Sequence, residues 1–325
     1  MTGVEVSTVD YHTAGEPFRI VLDGLPAVPG DTVAERRAIA LGAGGTATSP
    51  RPSRLDTVRQ LLTREPRGHA GMYGGFLVPP DDSEAHLGVL FFHKDGYSTA
   101  CGHGTIALGA WAVDSGLVAA PDDGTVQVRI DVPSGRVTAI VHRVGGRTSA
   151  VTFRNVPTKV LARGVGVTTS VGTVQVDLAD SGAVYASVAV PEVSAGTLGD
   201  LTARGREIRA ALLDRYDLYG VVFHQELPDG PDGRLHQRNV TVFADGQIDR
   251  SPCGSGTSAR LALLAADGWR GELRHESVIG TVFTGRVVGE RDGGVVTEVT
   301  GLAHRTGEHR FVLAAADELG TGFLL

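Results

Sequence analysis

Two stretches decide how this chain is read: Cys101-Gly102-His103-Gly104-Thr105-Ile106-Ala107 and Cys253-Gly254-Ser255-Gly256-Thr257-Ser258-Ala259. Aligned on their cysteines, they share five of seven residues. Gly116 and Gly268, each 15 residues past its cysteine, also match. An Asp-Gly dipeptide closes the strand-like run before each copy, Asp95-Gly96 in one and Asp245-Gly246 in the other. About three helical turns rich in Ala and Leu follow each. Self-similarity of this kind marks two related halves, each presenting one cysteine at a loop-to-helix junction.

Outward from these stretches, period-2 alternation predicts strands. Val126, Val128, Ile130 and Val132 form one alternating set, and Val174, Val176 and Leu178 another. The continuous run Val89-Leu90-Phe91-Phe92 suits a strand buried on both faces. Helical spacing is rarer: Leu55, Val58 and Leu62 in one place, Ile208, Ala211 and Leu212 in another. Turn clusters such as Val78-Pro79-Pro80 and Pro133-Ser134-Gly135 separate the elements. Many strands with few helices predict an α+β fold rather than a regular βαβ series.

The 325 residues are enough for two cores. Hydrophobic content of 42% and charged content of 21% are ordinary for a globular chain, and the 45 glycines show no collagen-like period. A net charge of −7 with signs interspersed predicts no nucleic-acid partner. No apolar run approaches the roughly 20 residues of a membrane span. Met1–Asp10 holds two acids and no base, unlike a secretory leader. A cytoplasmic location with reduced thiols is therefore the expectation. The assembly is left open between monomer and homodimer.

The junction itself points to chemistry. A helix N-terminus leaves N–H groups unpaired and carries partial positive charge, so a cysteine there is expected to ionise more readily than a free thiol. Flanking glycines let a ligand reach the backbone, where the N–H groups can hold a carboxylate. Inverting an amino-acid α-carbon requires removing a proton from one face and returning one to the other. Two thiols from two halves provide such a pair, one as thiolate and one as thiol. That reaction needs no metal and no cofactor. Zinc is a poor fit: Cys101 and His103 are separated by a single residue, Ser255 replaces the histidine in the second copy, and no C-x-x-C exists. Gly42-Ala43-Gly44-Gly45 lacks the Lys-Ser/Thr of a P-loop. Asn239-Val240-Thr241 fits a glycosylation sequon but reads as strand, and His12 and His236 receive no assigned role.

These residues resemble the proline racemase superfamily of proline racemases, 4-hydroxyproline 2-epimerases and trans-3-hydroxyproline dehydratases. The resemblance runs nearly end to end. It takes in Asp10-Tyr11-His12-Thr13-Ala14-Gly15-Glu16-Pro17, Met72-Tyr73-Gly74-Gly75, both cysteine stretches with Asp249-Arg250-Ser251-Pro252, Phe283-Thr284-Gly285-Arg286 and Gly322-Phe323-Leu324-Leu325. It implies two pseudo-symmetric halves like those of diaminopimelate epimerase, each a mostly antiparallel, barrel-like sheet around a central helix. Residues 1–155 would carry Cys101, completed by 305–325, and residues 156–304 would carry Cys253, with the site in the cleft between them.

The resemblance also implies roles: Cys101 and Cys253 as the catalytic thiols, and Asp249 on the substrate amine with His103 close by. Gly102, Gly254, Ser255 and Thr257 would bind the carboxylate, and Tyr73 and Phe243 would line the ring pocket of a cyclic imino acid. Tyr73 stands where proline-specific members carry phenylalanine. The dehydratases have threonine in place of the second cysteine, so Cys253 implies a racemase or epimerase acting on proline or hydroxyproline. Gly15-Glu16-Pro17-Phe18-Arg19-Ile20 and Gly96-Tyr97-Ser98-Thr99 look similar to the dehydratase branch instead, and Ala179-Asp180-Ser181-Gly182 departs from the family pattern.

Overall fold

The alternating runs become strands wrapped around the two cysteine-headed helices. The computed structural model describes residues 4–42, 53–229, 233–243 and 246–325. Asp245 of the second Asp-Gly dipeptide and residues 43–45 of the glycine-rich stretch lie outside the described residues.

In the first half the elements are β1 (Val4–Thr13), β2 (Glu16–Asp23), α1 (Val33–Ala40), α2 (Arg54–Thr63), β3 (Gly74–Val78), β4 (Leu87–His93), β5 (Gly96–Tyr97), α3 (Gly102–Asp114), β6 (Gly124–Val132), β7 (Gly135–Val144) and β8 (Arg147–Arg154). The second half comprises β9 (Lys159–Thr169), β10 (Gly172–Asp180), β11 (Val184–Ala189), α4 (Leu198–Leu212), β12 (Leu218–Leu227), β13 (Leu235–Phe243), α5 (Gly254–Ala266), β14 (Glu272–Ser277), β15 (Val282–Arg291) and β16 (Gly294–Gly301). A last strand, β17 (Ala303–Leu313), returns to the first half and pairs antiparallel with β1 from Val4↔Leu313 to Thr13↔Ala303.

The pairing repeats between halves. Each contains two parallel contacts, β2 with β3 and β4 with β6 in the first, β11 with β12 and β13 with β14 in the second. The other pairings are antiparallel, including β8 with β16, where Phe153 faces Val299 and the two sheets fuse. This is the α+β architecture expected, two pseudo-symmetric sheets each folded round one helix.

Burial explains the sequence patterns. α3 and α5 are buried on nearly every face, which their Ala- and Leu-rich turns suit; the buried Arg260 of α5 donates to Gln237 Oε1 at 3.0 Å. Small residues let them sit close to the sheets: a Cβ on Gly109 would lie 2.5 Å from the Ala139 Cβ. Gly116 and Gly268 follow the two helices at φ +76° and +82°, the left-handed conformation of a helix C′ residue. The continuous run in β4 divides between two cores. Val89 and Phe91 join Ile106 and Leu108 of α3, while Leu90 and Phe92 meet Leu55, Val58 and Leu62 of α2.

One face differs from expectation. Ala211 of α4 is exposed, and the buried stripe is Leu201, Gly205, Ile208 and Leu212. Gly205 packs close to Val242 of β13 and so draws the helix round to that side. Among the described residues no helix is long and apolar enough to cross a membrane.

Replacing Gly109 by Val should overpack the contact between α3 and the β7–β8 sheet. We expect a loss of about 1–3 kcal/mol, read as a lower midpoint in thermal denaturation; an unchanged midpoint would mean that the helix does not press on Ala139.

Candidate active site

Each cysteine caps its own helix with sulfur. Cys101 has an extended backbone, and its Sγ accepts a hydrogen bond from the Gly104 N–H at 3.3 Å. The Cys253 Sγ accepts from the Gly256 N–H at the same distance. The following threonines close the first turns, with the Thr105 and Thr257 N–H groups bonded to the Cys101 and Cys253 carbonyls. Left over at each end are the N–H groups of the first two helical residues, Gly102 and His103 or Gly254 and Ser255, for which a helix provides no internal acceptor.

The two ends meet head to head. A Cβ built on Gly102 would lie 2.6 Å from the Gly254 Cα, and one on Gly254 would lie 2.8 Å from the Gly102 Cα. No side chain fits at either position without parting the helices. Cys253 also has a φ of 62°, in the left-handed region where a non-glycine residue is strained. A polar chain holds it there. The Cys253 N–H donates to Ser251 Oγ at 3.1 Å, and Asp249 Oδ1 receives both the Ser251 hydroxyl at 2.7 Å and its N–H at 2.8 Å.

A cavity of about 210 Å³ opens at this meeting point. Cys101, Gly102, His103, Asp249, Cys253, Gly254 and Ser255 line it, with Tyr73 and Phe243 on the aromatic side. Two buried polar atoms of this set, Asp249 Oδ2 and Ser255 Oγ, have no partner within the protein. Burying such atoms unpaired is costly, and both residues line the cavity. Thr257 is the exception among the expected binding residues. It does not line the cavity, because its hydroxyl lies 2.8 Å from His275 Nδ1 and donates to the Pro252 carbonyl at 3.2 Å, bracing the loop from behind. His12 and His236 lie outside the cavity, the latter 2.9 Å from a Glu276 carboxylate oxygen.

Several participants were not singled out from the sequence. Tyr185 lies 3.9 Å from the Cys253 Sγ and can accept its S–H, and Tyr219 and Ala100 complete the wall. Neither tyrosine belongs to a motif; both come from strands β11 and β12, whose arrival here is a product of the sheet order. Glu16, quoted only as part of an N-terminal stretch, is buried and accepts the Arg250 N–H at 2.8 Å. With Arg250 and His93 it lines an adjoining cavity of about 380 Å³, which shares Tyr73, Tyr219 and Phe243 with the first. The divergent turn at residues 180–183 ties both cysteine loops together. Its Ser181 hydroxyl donates to the Ser255 carbonyl at 2.9 Å, and the Thr99 hydroxyl donates to the Gly182 carbonyl at 2.7 Å.

Electrostatics correct one expectation. Burial pushes both thiols well above the ordinary cysteine range, outweighing the N–H bond from Gly104 at Cys101 and from Gly256 at Cys253. The charge of Asp249 raises both further. The helix termini therefore offset desolvation in part and do not by themselves create a thiolate. Asp249 is pushed up to about 6, chiefly by burial and against its bonds from Ser251. Glu16 is raised by burial and by the Asp249 charge beside it. Desolvation lowers His103 to about 3, so its imidazole is neutral at pH 7, with Nδ1 at 3.5 Å from the Cys101 Sγ.

The proline racemase family model matches residues 8–324, and the chain belongs to that family. It is 41% identical to the 3-hydroxyproline 2-epimerase of Burkholderia multivorans, with 98% of each chain covered. It is 39% identical to the trans-3-hydroxy-L-proline dehydratase of Bacillus thuringiensis, again over 98% of each. A crystal structure of a hydroxyproline epimerase from Agrobacterium vitis with bound trans-4-hydroxy-L-proline superposes with a TM-score of 0.87 at 29% identity, covering 99% of this chain and 95% of that one.

Raised thiols make a direct prediction. Alkylation of Cys101 and Cys253 by iodoacetamide should be slow at pH 7 and rise about tenfold per pH unit toward pH 9, since only the thiolate reacts. A rate that is flat over that range would show a thiol already ionised at neutrality.

Proposed function

We propose that this protein inverts the α-carbon of a cyclic imino acid, a hydroxyproline or proline, by proton transfer between Cys101 and Cys253. The observation that carries this reading is the second sulfur. Cys253 caps α5 as Cys101 caps α3, and both open on one cavity.

In this mechanism the unpaired N–H groups of Gly102, His103, Gly254 and Ser255 hold the substrate carboxylate, and Ser255 Oγ adds a donor. The unpartnered Asp249 Oδ2 receives the substrate amine. The substrate ammonium and the helix N-termini favour ionisation of one thiol. That thiolate takes the Cα proton from one face, and the electron pair left on carbon delocalises into the carboxylate, whose growing negative charge the helix ends stabilise. The other cysteine, still a thiol, delivers its proton to the opposite face. Microscopic reversibility exchanges the roles in the return direction. The named activities of the Burkholderia and Agrobacterium relatives support a hydroxylated ring.

A second reading is dehydration of a trans-3-hydroxyproline, supported by the similarity to named dehydratases. Elimination needs one thiol as base and a proton for the departing hydroxide; a second thiol on the opposite face has no part in it.

In D₂O the enzyme should incorporate deuterium at Cα of a hydroxyproline while the opposite Cα epimer accumulates. Cys253→Thr should lower epimer formation by about 10²–10⁴-fold, the usual worth of a placed acid or base, while retaining single-face exchange. A product that reacts as a cyclic imine would favour dehydration, and wild-type enzyme inert toward proline and both hydroxyprolines would sink both readings.

A further inference from the structure

Three hydroxyl groups meet on the aromatic side of the thiol cavity. Tyr73, just ahead of β3, and Ser98, just after β5, belong to the first half; Tyr219, at the start of β12, belongs to the second. Tyr73 Oη lies 2.7 Å from Tyr219 Oη and is also hydrogen-bonded to Ser98 Oγ. Both tyrosines line the cavity, while Ser98 is buried at 3% exposure. Rings surround them: His103, His93 and Phe18 lie 5.2, 5.7 and 6.4 Å from Tyr73, and Phe243 and Tyr185 contact Tyr219 at 5.5 and 5.8 Å.

Such a cluster has a function to explain. A wall for an unsubstituted ring needs only hydrocarbon, and phenylalanine and alanine would provide it without desolvating three hydroxyls. In the proposed mechanism the other polar parts of an imino acid have partners elsewhere, the carboxylate at the helix ends and the amine at Asp249 Oδ2. Each hydroxyl has one proton that can rotate and two acceptor sites. Three of them bonded to one another keep acceptor sites to spare, and can accept from and donate to a fourth hydroxyl. Burial raises both tyrosines far above their ordinary range, which keeps them neutral donors.

We propose that the Ser98–Tyr73–Tyr219 cluster is the subsite that binds the substrate's ring hydroxyl, and that it sets a preference for a hydroxylated over an unsubstituted ring. This rests on the Cα-inversion reading above. The preference has a bounded size. Hydroxyls that satisfy one another are not stranded when proline binds, so discrimination falls well short of the factors reached by sites whose polar groups have no other partner. One or two net hydrogen bonds correspond to about 5- to 30-fold.

The test measures kcat/KM for Cα exchange in D₂O with proline, trans-3-hydroxyproline and trans-4-hydroxyproline, using the full chain, Tyr219→Phe and Tyr73→Phe. Wild-type enzyme should favour one hydroxyproline over proline, and each variant should lower that ratio by about fivefold; the hydroxyproline whose ratio falls identifies the ring position. A ratio unchanged in both variants overturns the subsite while leaving Cα inversion intact. So does a wild-type enzyme that favours proline, a result that does not depend on either variant folding. Wild-type enzyme that exchanges none of the three overturns the function and the subsite together.

Discussion

The backbone contact between Gly102 and Gly254 is the constraint on which the rest of the structure depends. Two helices buried in separate sheets can present their N-termini to one ligand only if nothing stands between those ends. Glycine on both sides removes the obstacle. Once the ends abut, the sulfurs that cap them open on one cavity, and the unpaired N–H groups of both helices point to a common region. The seam between β8 and β16 and the turn at residues 180–183 hold the halves at that separation. The strained φ of Cys253 belongs to the same arrangement: it is retained because Asp249 and Ser251 fix the loop.

Two opposing effects act on each thiol. The helix terminus favours its charged form, whereas the dry environment favours its neutral one, and at both cysteines burial is the larger. Here local sequence logic pointed the wrong way. A Cys-Gly-x-Gly-Thr stretch reveals the helix start, but desolvation depends on what the remainder of the chain stacks over it. Phe18, Tyr73 and Tyr185 pack over the sulfurs from three separate stretches of chain.

The same division governs what else was legible. Features written in local spacing were readable: the duplicated loop, the matching glycines at 116 and 268, the alternation in β6 and β10, and the doubly buried β4. Asp249 and Ser255 could be placed because they flank a cysteine. Features made by tertiary assembly were not. Tyr219 and Tyr185 have no motif, and only the parallel pairing of β11 with β12 brings them side by side. Thr257 lies off the cavity although the motif includes it. It sits in the repeated motif, one helical turn from Cys253, yet His275 from a neighbouring strand claims its hydroxyl. Period alone puts Ala211 on the apolar face of its helix, whereas the buried stripe runs through Leu201, Gly205, Ile208 and Leu212, with Gly205 close against Val242.

The return of β17 to β1 has a consequence for how the molecule is made. The two partners lie at opposite ends of the sequence, so their pairing carries the largest loop-closure cost of any in the sheet. During synthesis the first half emerges with β1 lacking its outer neighbour, and it stays so while the whole second half is being extended. By the time residue 303 becomes available, β9 to β16 can already have folded around α5. Docking of the last strand then completes the first sheet. The order of manufacture thus runs inside out: the half begun first is the half finished last.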